Sequence, residues 1–161
     1  MYKTGHYGAA LLLYAPVGGY LLRSDPVVAV VVGAGAVWLA RLPDIDLRLP
    51  FISHRGPTHT LLFLALVAGA LGGVGWLAGV RGGLGNETLY ATLGVAIALF
   101  GVGSHLVADM LTPAGVPLFW PLSSRTYSWR VARASNRIAN WGLLALGVFA
   151  TIAAGIVALR V

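Results

Sequence analysis

The stretch His54-Arg55-Gly56-Pro57-Thr58-His59 stands just before a long apolar run, Leu61–Val80. It holds two of the chain's four histidines, with a Gly-Pro pair between them. Proline suits the first position of a helix, where its missing N–H costs no hydrogen bond. We therefore predict that His54 lies in a loop and that His59 lies in the first turn of the helix that follows.

The composition is typical of an integral membrane protein. Hydrophobic residues make up 58% of the 161 residues and charged residues only 10%, and the mean hydropathy is +0.82. A soluble domain carries about 25% charged residues, so this chain has too few to cover a water-exposed surface. Residues 1–161 are expected to form a single domain. The absence of cysteine excludes disulfides and thiolate metal ligands.

Five apolar runs predict an all-α bundle of about five transmembrane helices. A span needs about 20 residues, so the first two runs must include flanking residues to cross the bilayer. Ser24-Asp25-Pro26 predicts a tight turn that pairs these two runs as an antiparallel hairpin. The first run lacks a small-residue cleavage site, which indicates a retained helix rather than a removed signal peptide. The runs are Tyr7–Leu22, Val27–Leu42, Leu61–Val80, Leu89–Ala108 and Trp141–Leu159.

The distribution of Lys and Arg predicts the orientation of the bundle. With five alternating spans, the face that holds the N-terminus carries eight basic residues, and the opposite face has only Arg23, Arg81 and Arg160. Basic residues accumulate on the cytoplasmic side, so we expect a cytoplasmic N-terminus and an external C-terminus. The eight are Lys3, Arg41, Arg48, Arg55, Arg125, Arg130, Arg133 and Arg137.

The loop 113–140 contains aromatic residues that favour the membrane interface: Trp120, Tyr127 and Trp129. Its arginines at 130, 133 and 137 have the spacing of one helix face. This pattern predicts an amphipathic interfacial segment between the last two spans, whose basic face holds an anionic lipid or phosphate. The alternative is that these arginines only anchor the protein on its positive side.

The alternation of spans places all four histidines and three of the five acidic residues at one membrane face. His105 and Asp109 are four residues apart and share one face of a helix. In Asp44-Ile45-Asp46, one carboxylate is expected to ligate a metal and the other to orient a histidine or bridge. The seven candidate metal ligands are His6, Asp44, Asp46, His54, His59, His105 and Asp109.

Imidazole and carboxylate groups without sulfur suit zinc, manganese or iron. Seven candidates exceed the three protein ligands that are typical of one catalytic zinc, and they suffice for a two-metal site that clamps a phosphoryl group. We predict one or two divalent metal ions, zinc first. Taken singly, His105 fits a hydrogen-bonded packing histidine, and the two aspartates fit a capped turn. The metal prediction therefore depends on the whole set.

Several motifs resemble the YdjM-type membrane-bound metal-dependent hydrolases, over roughly residues 6–125. They are Pro43-Asp44-Ile45-Asp46, the 54–59 stretch, Gly103-Ser104-His105 with Asp109, Thr112-Pro113 with Gly115-Val116, and Trp120-Pro121-Leu122-Ser123. That family is distantly similar to zinc-dependent phospholipase C and to all-helical zinc nucleases. The resemblance implies the ligands His6, Asp44 or Asp46, His59, and His105 with Asp109. No histidine follows His105 and no acid follows Asp109, so one or two ions are expected rather than three.

The leading functional hypothesis is a membrane-bound hydrolase that cleaves a phosphoester with metal-activated water. A site at headgroup depth meets lipids laterally, so a phospholipid or lipid phosphate is the expected substrate. Asp44 or Asp46 is the expected general base. Arg55 and Arg125 are expected to neutralise the phosphate charge. Hydrogen bonds to the substrate are expected from Thr58, Ser104 and Thr112.

Two other classes remain open at this stage. Acids and histidines within a membrane also mark metal or proton transporters, or a non-catalytic metal-binding protein. A transporter needs polar residues across the midplane, and the far halves of these spans contain almost none. A nuclease-like phosphodiesterase is the third hypothesis, and it predicts a salt-dependent affinity for DNA. We expect the bilayer and a lipid or phosphoester as partners, with no obligatory nucleic acid.

Overall fold

The computed structural model describes residues 1–51, 53–83 and 85–160. Five α-helices account for most of the chain, and two short 3-10 helices, Pro43–Arg48 and Pro57–His59, lie between the second and third of them. Within these residues the only strand-like pairing is one antiparallel bridge between Val116 and Tyr127. The all-α prediction is confirmed. The helices are α1 (Lys3–Ser24), α2 (Pro26–Leu39), α3 (Leu61–Arg81), α4 (Glu87–Met110) and α5 (Arg137–Arg160).

Side-chain caps fix where three of the helices begin. Asp25 accepts hydrogen bonds from the backbone N–H groups of Val27 and Val28, both at 3.0 Å, and Pro26 occupies the first turn of α2. Thr60 caps α3 and Asn86 caps α4 in the same way. These side chains satisfy N–H groups that have no partner within the helix. The turn at Asp25 also confirms that α1 and α2 form an antiparallel hairpin.

Helices α1 and α4 occupy the middle of the bundle. α1 packs against α2, α4 and α5, whereas α4 packs against α1, α2 and α3. α3 and α5 lie at the two edges, and most of their large apolar side chains are exposed to the surroundings of the molecule. This exposure is expected where lipid rather than water is the solvent.

Four helical segments in the described part of the chain are long and apolar enough to cross a membrane. α1 is also long enough, since its 22 residues extend about 33 Å, but polar residues such as Lys3 and His6 lower its hydropathy. It lies in the bundle between α2 and α5. The fold is therefore a helical membrane bundle, as the sequence predicts. The four segments are Pro26–Arg48, Leu61–Arg81, Glu87–Met110 and Arg137–Arg160.

The start of α3 differs from the sequence prediction. His59 does not lie in the first turn of α3, because Pro57–His59 forms a separate 3-10 helix. Thr60 then adopts an extended conformation (φ −127°, ψ 160°), and its hydroxyl accepts a hydrogen bond from Phe63 N at 3.0 Å. The break turns the side chain of His59 into the bundle, where it is fully buried.

The segment between α4 and α5 also differs from the prediction. Residues 111–136 contain turns and extended chain but no helix, so the predicted helical face of Arg130 and Arg133 is absent. Arg130 has a positive φ of 54°. The backbone N–H groups of Trp129 and Val131 instead bond to the carbonyls of Met110 and Leu111, at 2.7 and 2.8 Å. The segment thereby folds over the end of α4.

Replacing Gly8 with valine is expected to separate α1 from α5. A Cβ at Gly8 lies 2.5 Å from the backbone of Leu143, so the two helices cannot keep their present distance. Overpacking of this kind costs about 1–3 kcal/mol, and we expect a lower melting temperature in detergent. Gly142→Val is the matched control, because a Cβ at Gly142 has no neighbour within 4 Å. Equal melting temperatures for the two variants would contradict this packing.

Candidate metal centre

Three imidazole nitrogens and two carboxylates converge at one end of the bundle. His59 Nε2 lies 3.0 Å from His105 Nε2. Asp109 Oδ2 lies 3.6 Å from His59 Nε2 and 3.7 Å from His105 Nε2. Asp44 Oδ1 lies 3.9 and 3.7 Å from the same two nitrogens. His6 Nε2 completes the set, and it lies 3.8 Å from Asp109 Oδ1 and 3.9 Å from Asp44 Oδ2.

These five side chains come from four separate elements. His6 lies one turn into α1, Asp44 lies in the first 3-10 helix and His59 ends the second. His105 and Asp109 occupy consecutive turns of α4, so both point to the same side. The ring of His6 stacks on that of His105 with centroids 3.9 Å apart. All three histidines are fully buried.

Hydrogen bonds on the outer ring nitrogens orient two of the histidines. His105 Nδ1 lies 2.7 Å from the carbonyl of Ala40, and since a carbonyl only accepts, Nδ1 carries the proton. His59 Nδ1 lies 3.0 Å from Thr58 Oγ1, and since that hydroxyl gives its own proton to Asp46 Oδ2, Nδ1 donates to it. The two Nε2 atoms therefore present lone pairs to each other at 3.0 Å. A cation between them satisfies both.

Burial supports the same protonation state for His59. The second 3-10 helix lies outside the membrane-spanning segments, and burial lowers the pKa of His59 to about 4. His59 is therefore neutral at pH 7, and a neutral imidazole is the form that ligates a metal.

Several buried polar atoms in the cluster have no hydrogen-bond partner among the described residues. They are both ring nitrogens of His6 and Oδ2 of Asp109. Unsatisfied buried polar atoms are rare in native proteins. Ligands about 2.0–2.1 Å from one zinc ion stand about 3.3 Å apart in a tetrahedron, close to the separations here. The donor set of imidazole and carboxylate, its spacing and its free atoms therefore fit a divalent metal ion.

Comparison with known proteins agrees with the motifs. The family model of the YdjM inner membrane proteins matches residues 1–160. This chain belongs to that family. The inner membrane protein YdjM of Escherichia coli K12 is 38% identical over an alignment that covers 53% of this chain and 47% of the relative. The YdjM protein of Shigella flexneri gives the same values. The chain thus matches about half the length of these curated relatives.

No solved structure matches the chain. Membership of the YdjM family, together with the apolar helices, supports a multi-pass protein of the cell membrane. The predicted orientation, with a cytoplasmic N-terminus, stays a prediction.

In this member of the YdjM family, Asp44 and Asp46 have different surroundings. Asp44 faces the Nε2 atoms of His6, His59 and His105. Both carboxylate oxygens of Asp46, by contrast, are engaged in hydrogen bonds outside this cluster. Asp46 Oδ2 accepts from Thr58 Oγ1 at 2.9 Å and from the backbone N of Arg55 at 3.0 Å, and Oδ1 lies 3.0 Å from His54 Nδ1. The structure thus favours Asp44 as the ligand and Asp46 as the residue that orients histidines, an alternative that the sequence left open.

Arg55 joins the cluster to the loop that follows α4. Its Nη2 donates to Asp109 Oδ1 at 3.1 Å, and its Nη1 donates to Thr112 Oγ1 at 2.9 Å and to the carbonyl of Gly115 at 3.1 Å. The amino group of Met1 also donates to Asp109 Oδ1. These contacts hold the guanidinium in place. The backbone of Arg55 has a positive φ of 61°, a strained conformation for a residue other than glycine.

The other candidate residues, His54, Thr58 and Thr112, lie outside the set of five side chains described above. The side chain of His54 is 42% exposed, and its ligating atom lies within 4.8 Å of those of Asp44 and His59, so this second group could also hold an ion. Thr58 and Thr112 are buried and engaged by Asp46 and Arg55 respectively.

Two predicted substrate contacts have partners elsewhere. The hydroxyl of Ser104 donates to the carbonyl of Gly101 in its own helix, at 2.8 Å. Arg125 is exposed, and its guanidinium lies 5.4 Å from the centre of the Tyr127 ring. Neither contact joins these residues to the metal cluster, so their role toward a substrate stays a prediction.

Two features of the site carried no signal in the sequence analysis. The carbonyl of Ala40 fixes the tautomer of His105, and backbone atoms leave no trace in side-chain patterns. Arg41 and Arg48 lie close to Asp44 in the chain, but in the sequence they indicate only the orientation of the bundle.

Proposed function

We propose that this protein is a membrane-embedded, metal-dependent hydrolase that cleaves phosphoesters at the membrane surface. The observation that carries the proposal is the convergence of His6, His59, His105, Asp44 and Asp109. In it, both ring nitrogens of His6 and Oδ2 of Asp109 are buried without a hydrogen-bond partner among the described residues. A divalent cation supplies Lewis acidity toward a phosphoryl oxygen and acidifies water. Zinc suits this donor set best, with manganese or iron as alternatives.

Arg55 is suited to bind the phosphoryl group. A guanidinium has five N–H donors, and Arg55 uses three of them on Asp109, Thr112 and Gly115. The remaining donors are available to phosphoryl oxygens beside the cluster. Arginine pairs with phosphate through two parallel hydrogen bonds, which fixes orientation as well as charge.

His54 and Asp46 together are suited to move a proton. Asp46 Oδ1 holds His54 Nδ1 at 3.0 Å, which leaves Nε2 as the free nitrogen of a half-exposed ring. A carboxylate behind an imidazole fixes its tautomer and stabilises its protonated form. In this proposal His54 accepts or returns a proton at Nε2, and Asp46 acts through it rather than as the base itself.

The distribution of buried polar groups argues against a transporter. Among the described residues, every buried polar or charged side chain lies at the end of the bundle that holds the metal cluster or in the loop over it. No polar path therefore runs from the cluster toward the opposite face through these residues. The distant similarity to phospholipase C and zinc nucleases stays a prediction, and so does a nuclease-like activity.

Metal analysis in detergent tests the proposal. Wild-type protein, purified without added metal, is compared with a His59→Ala/His105→Ala double variant, with helicity and elution volume as controls for folding. We expect near-stoichiometric zinc, manganese or iron in the wild type and almost none in the variant. Hydrolysis of p-nitrophenyl phosphate and of bis-p-nitrophenyl phosphate should follow metal content. Absence of metal even after titration, or turnover of p-nitrophenyl butyrate alone, would contradict the proposal.

Replacing Asp46 with asparagine is expected to weaken metal binding without removing a ligand. The change takes the charged acceptor away from His54 and from Thr58, which bonds to His59. Losses of such orienting partners lower metal affinity about 10–100-fold. Competition with a metal-sensitive dye measures the affinity. Asp25→Asn serves as the control, because asparagine caps a helix as well as aspartate does. Equal metal affinities in the two variants would show that Asp46 does not orient the histidines that bind the metal.

A further inference from the structure

A long groove runs along the bundle between α1, α2 and α5. Its volume is about 890 Å³, within the range of pockets that bury whole ligands. Along α1 it extends from Tyr7 to Leu22, about 22 Å at 1.5 Å per residue. The lining is mostly small or aliphatic, and includes Ala15, Gly18, Gly33, Ala34 and Val37.

The wall of the groove offers few free polar atoms. Tyr14 is the largest buried side chain along it, and its hydroxyl already donates to the carbonyl of Ala29 at 2.6 Å. Trp38, which lines the groove three residues before Arg41, is 79% exposed. Tryptophan favours the boundary between headgroups and hydrocarbon. The groove therefore extends from headgroup depth into the hydrocarbon, over more than one leaflet, since half of a bilayer core is about 15 Å.

The headgroup end of the groove is cationic and touches the metal cluster. Arg41, Asp44 and Arg48 all line it there. Arg41 Nη1 donates weakly to the hydroxyl of Tyr7 at 3.4 Å, and its Nε is buried without a partner among the described residues. A buried N–H without an acceptor is costly, and a guanidinium pairs most strongly with an anionic one. Asp44 also faces the Nε2 atoms of His59 and His105, so the groove opens directly onto the cluster.

We propose that this groove holds an acyl chain of an anionic glycerophospholipid, with Arg41 and Arg48 attracting its headgroup to Asp44 and Arg55 binding the phosphoryl group at the metal centre. The inference rests on the proposed function in one respect only, since it takes this lipid to be the substrate of the metal centre. Lipid tails are as apolar as the groove lining, so chain burial adds little preference. The preference comes from the two arginines, and contacts of this kind correspond to about 30-fold in favour of an anionic headgroup.

Photolabelling tests the groove without requiring turnover. The full chain is placed in phosphatidylcholine vesicles that contain a small fraction of phosphatidic acid with a diazirine in its acyl chain, and chelator keeps the protein free of metal. After irradiation, mass spectrometry maps the labelled peptides. We expect the strongest labelling in α1 and α2 along the groove. Labelling spread evenly over α3 and the outer side of α5 would overturn the proposal.

Two variants make this experiment specific. Ala34→Trp fills the groove from α2 and should reduce groove labelling by about tenfold, because the bulky ring excludes the chain. Ala70→Trp places the same ring on the exposed part of α3, outside the groove, and should leave the labelling unchanged. Undiminished labelling in Ala34→Trp would overturn the assignment of the chain.

A third arm tests the headgroup. A diazirine phosphatidylcholine at the same small fraction should label the groove about 30-fold less than phosphatidic acid, and Arg41→Gln/Arg48→Gln should remove that difference. Equal labelling by both lipids in the wild type would overturn the role of the arginines. Strong groove labelling together with an absence of bound metal in the other experiment would contradict the hydrolase but leave the lipid site intact.

Discussion

Replacing Asp109 with asparagine is expected to remove metal binding and to destabilise the protein. Asp109 is almost fully buried, and it faces three imidazoles as well as the guanidinium of Arg55. Loss of its charge should lower metal affinity by more than about 100-fold, since loss of an outer partner alone costs 10–100-fold. Breaking one side of a buried ion pair costs about 3–5 kcal/mol. Dye competition and thermal unfolding in detergent measure the two effects.

Glu87→Gln is the matched control for this prediction. Glu87 lies on the same helix as Asp109 but in its first turn, at the other end of the bundle. We expect this variant to keep wild-type metal affinity and nearly wild-type stability. If Asp109→Asn kept both wild-type metal affinity and wild-type stability, the Asp109 carboxylate would not be a ligand. The cluster would then be held together by apolar packing.

Replacing Arg55 with glutamine is expected to abolish most turnover while the metal stays bound. Arg55 is not a ligand in the proposed site, and its free N–H donors are assigned to the phosphoryl group. Removal of one such charge-stabilising group typically lowers the rate 100–1000-fold, so we expect a loss of about 100-fold in kcat/KM. Arg55→Lys should recover part of it, because lysine keeps the charge but not the paired geometry.

The measurement combines metal analysis with p-nitrophenyl phosphate kinetics on the same samples. Arg81→Gln, at the exposed end of α3, provides a charge-matched control that should leave both unchanged. If the glutamine variant lost metal as well as turnover, Arg55 would act by holding Asp109 in place. Full turnover in Arg55→Gln would show that Arg55 takes no part in the reaction.

The convergence of the candidate ligands could be predicted from the sequence because span alternation is a strong constraint. Each apolar run crosses the bilayer once, so polar residues at alternate ends meet at one face. His6, His59 and His105 lie in different elements but within one cluster, as this argument requires. The all-helical fold follows equally directly, because only helices and closed barrels satisfy their backbone groups in lipid.

Local geometry was harder to predict, for identifiable reasons. The arginine spacing at 130, 133 and 137 fits a helix face, but the last carbonyls of α4 need donors, and Trp129 and Val131 supply them. These tertiary hydrogen bonds prevent the helix. The prediction for His59 is wrong because Thr60, three residues after Pro57, caps α3 and so starts the helix after His59. The different surroundings of Asp44 and Asp46 depend on tertiary contacts: Asp46 accepts hydrogen bonds from the 54–58 segment, whereas Asp44 faces histidines of α1 and α4.

The cluster also affects how the protein is assembled in the membrane. Its residues lie at the ends of the helices, so each helix can enter the bilayer without a charge at its centre, where insertion is most costly. His6 and His105 are 99 positions apart in the sequence, and they meet only once α1 and α4 pack side by side. The cluster is therefore complete only after the nascent chain has delivered its fourth α-helix.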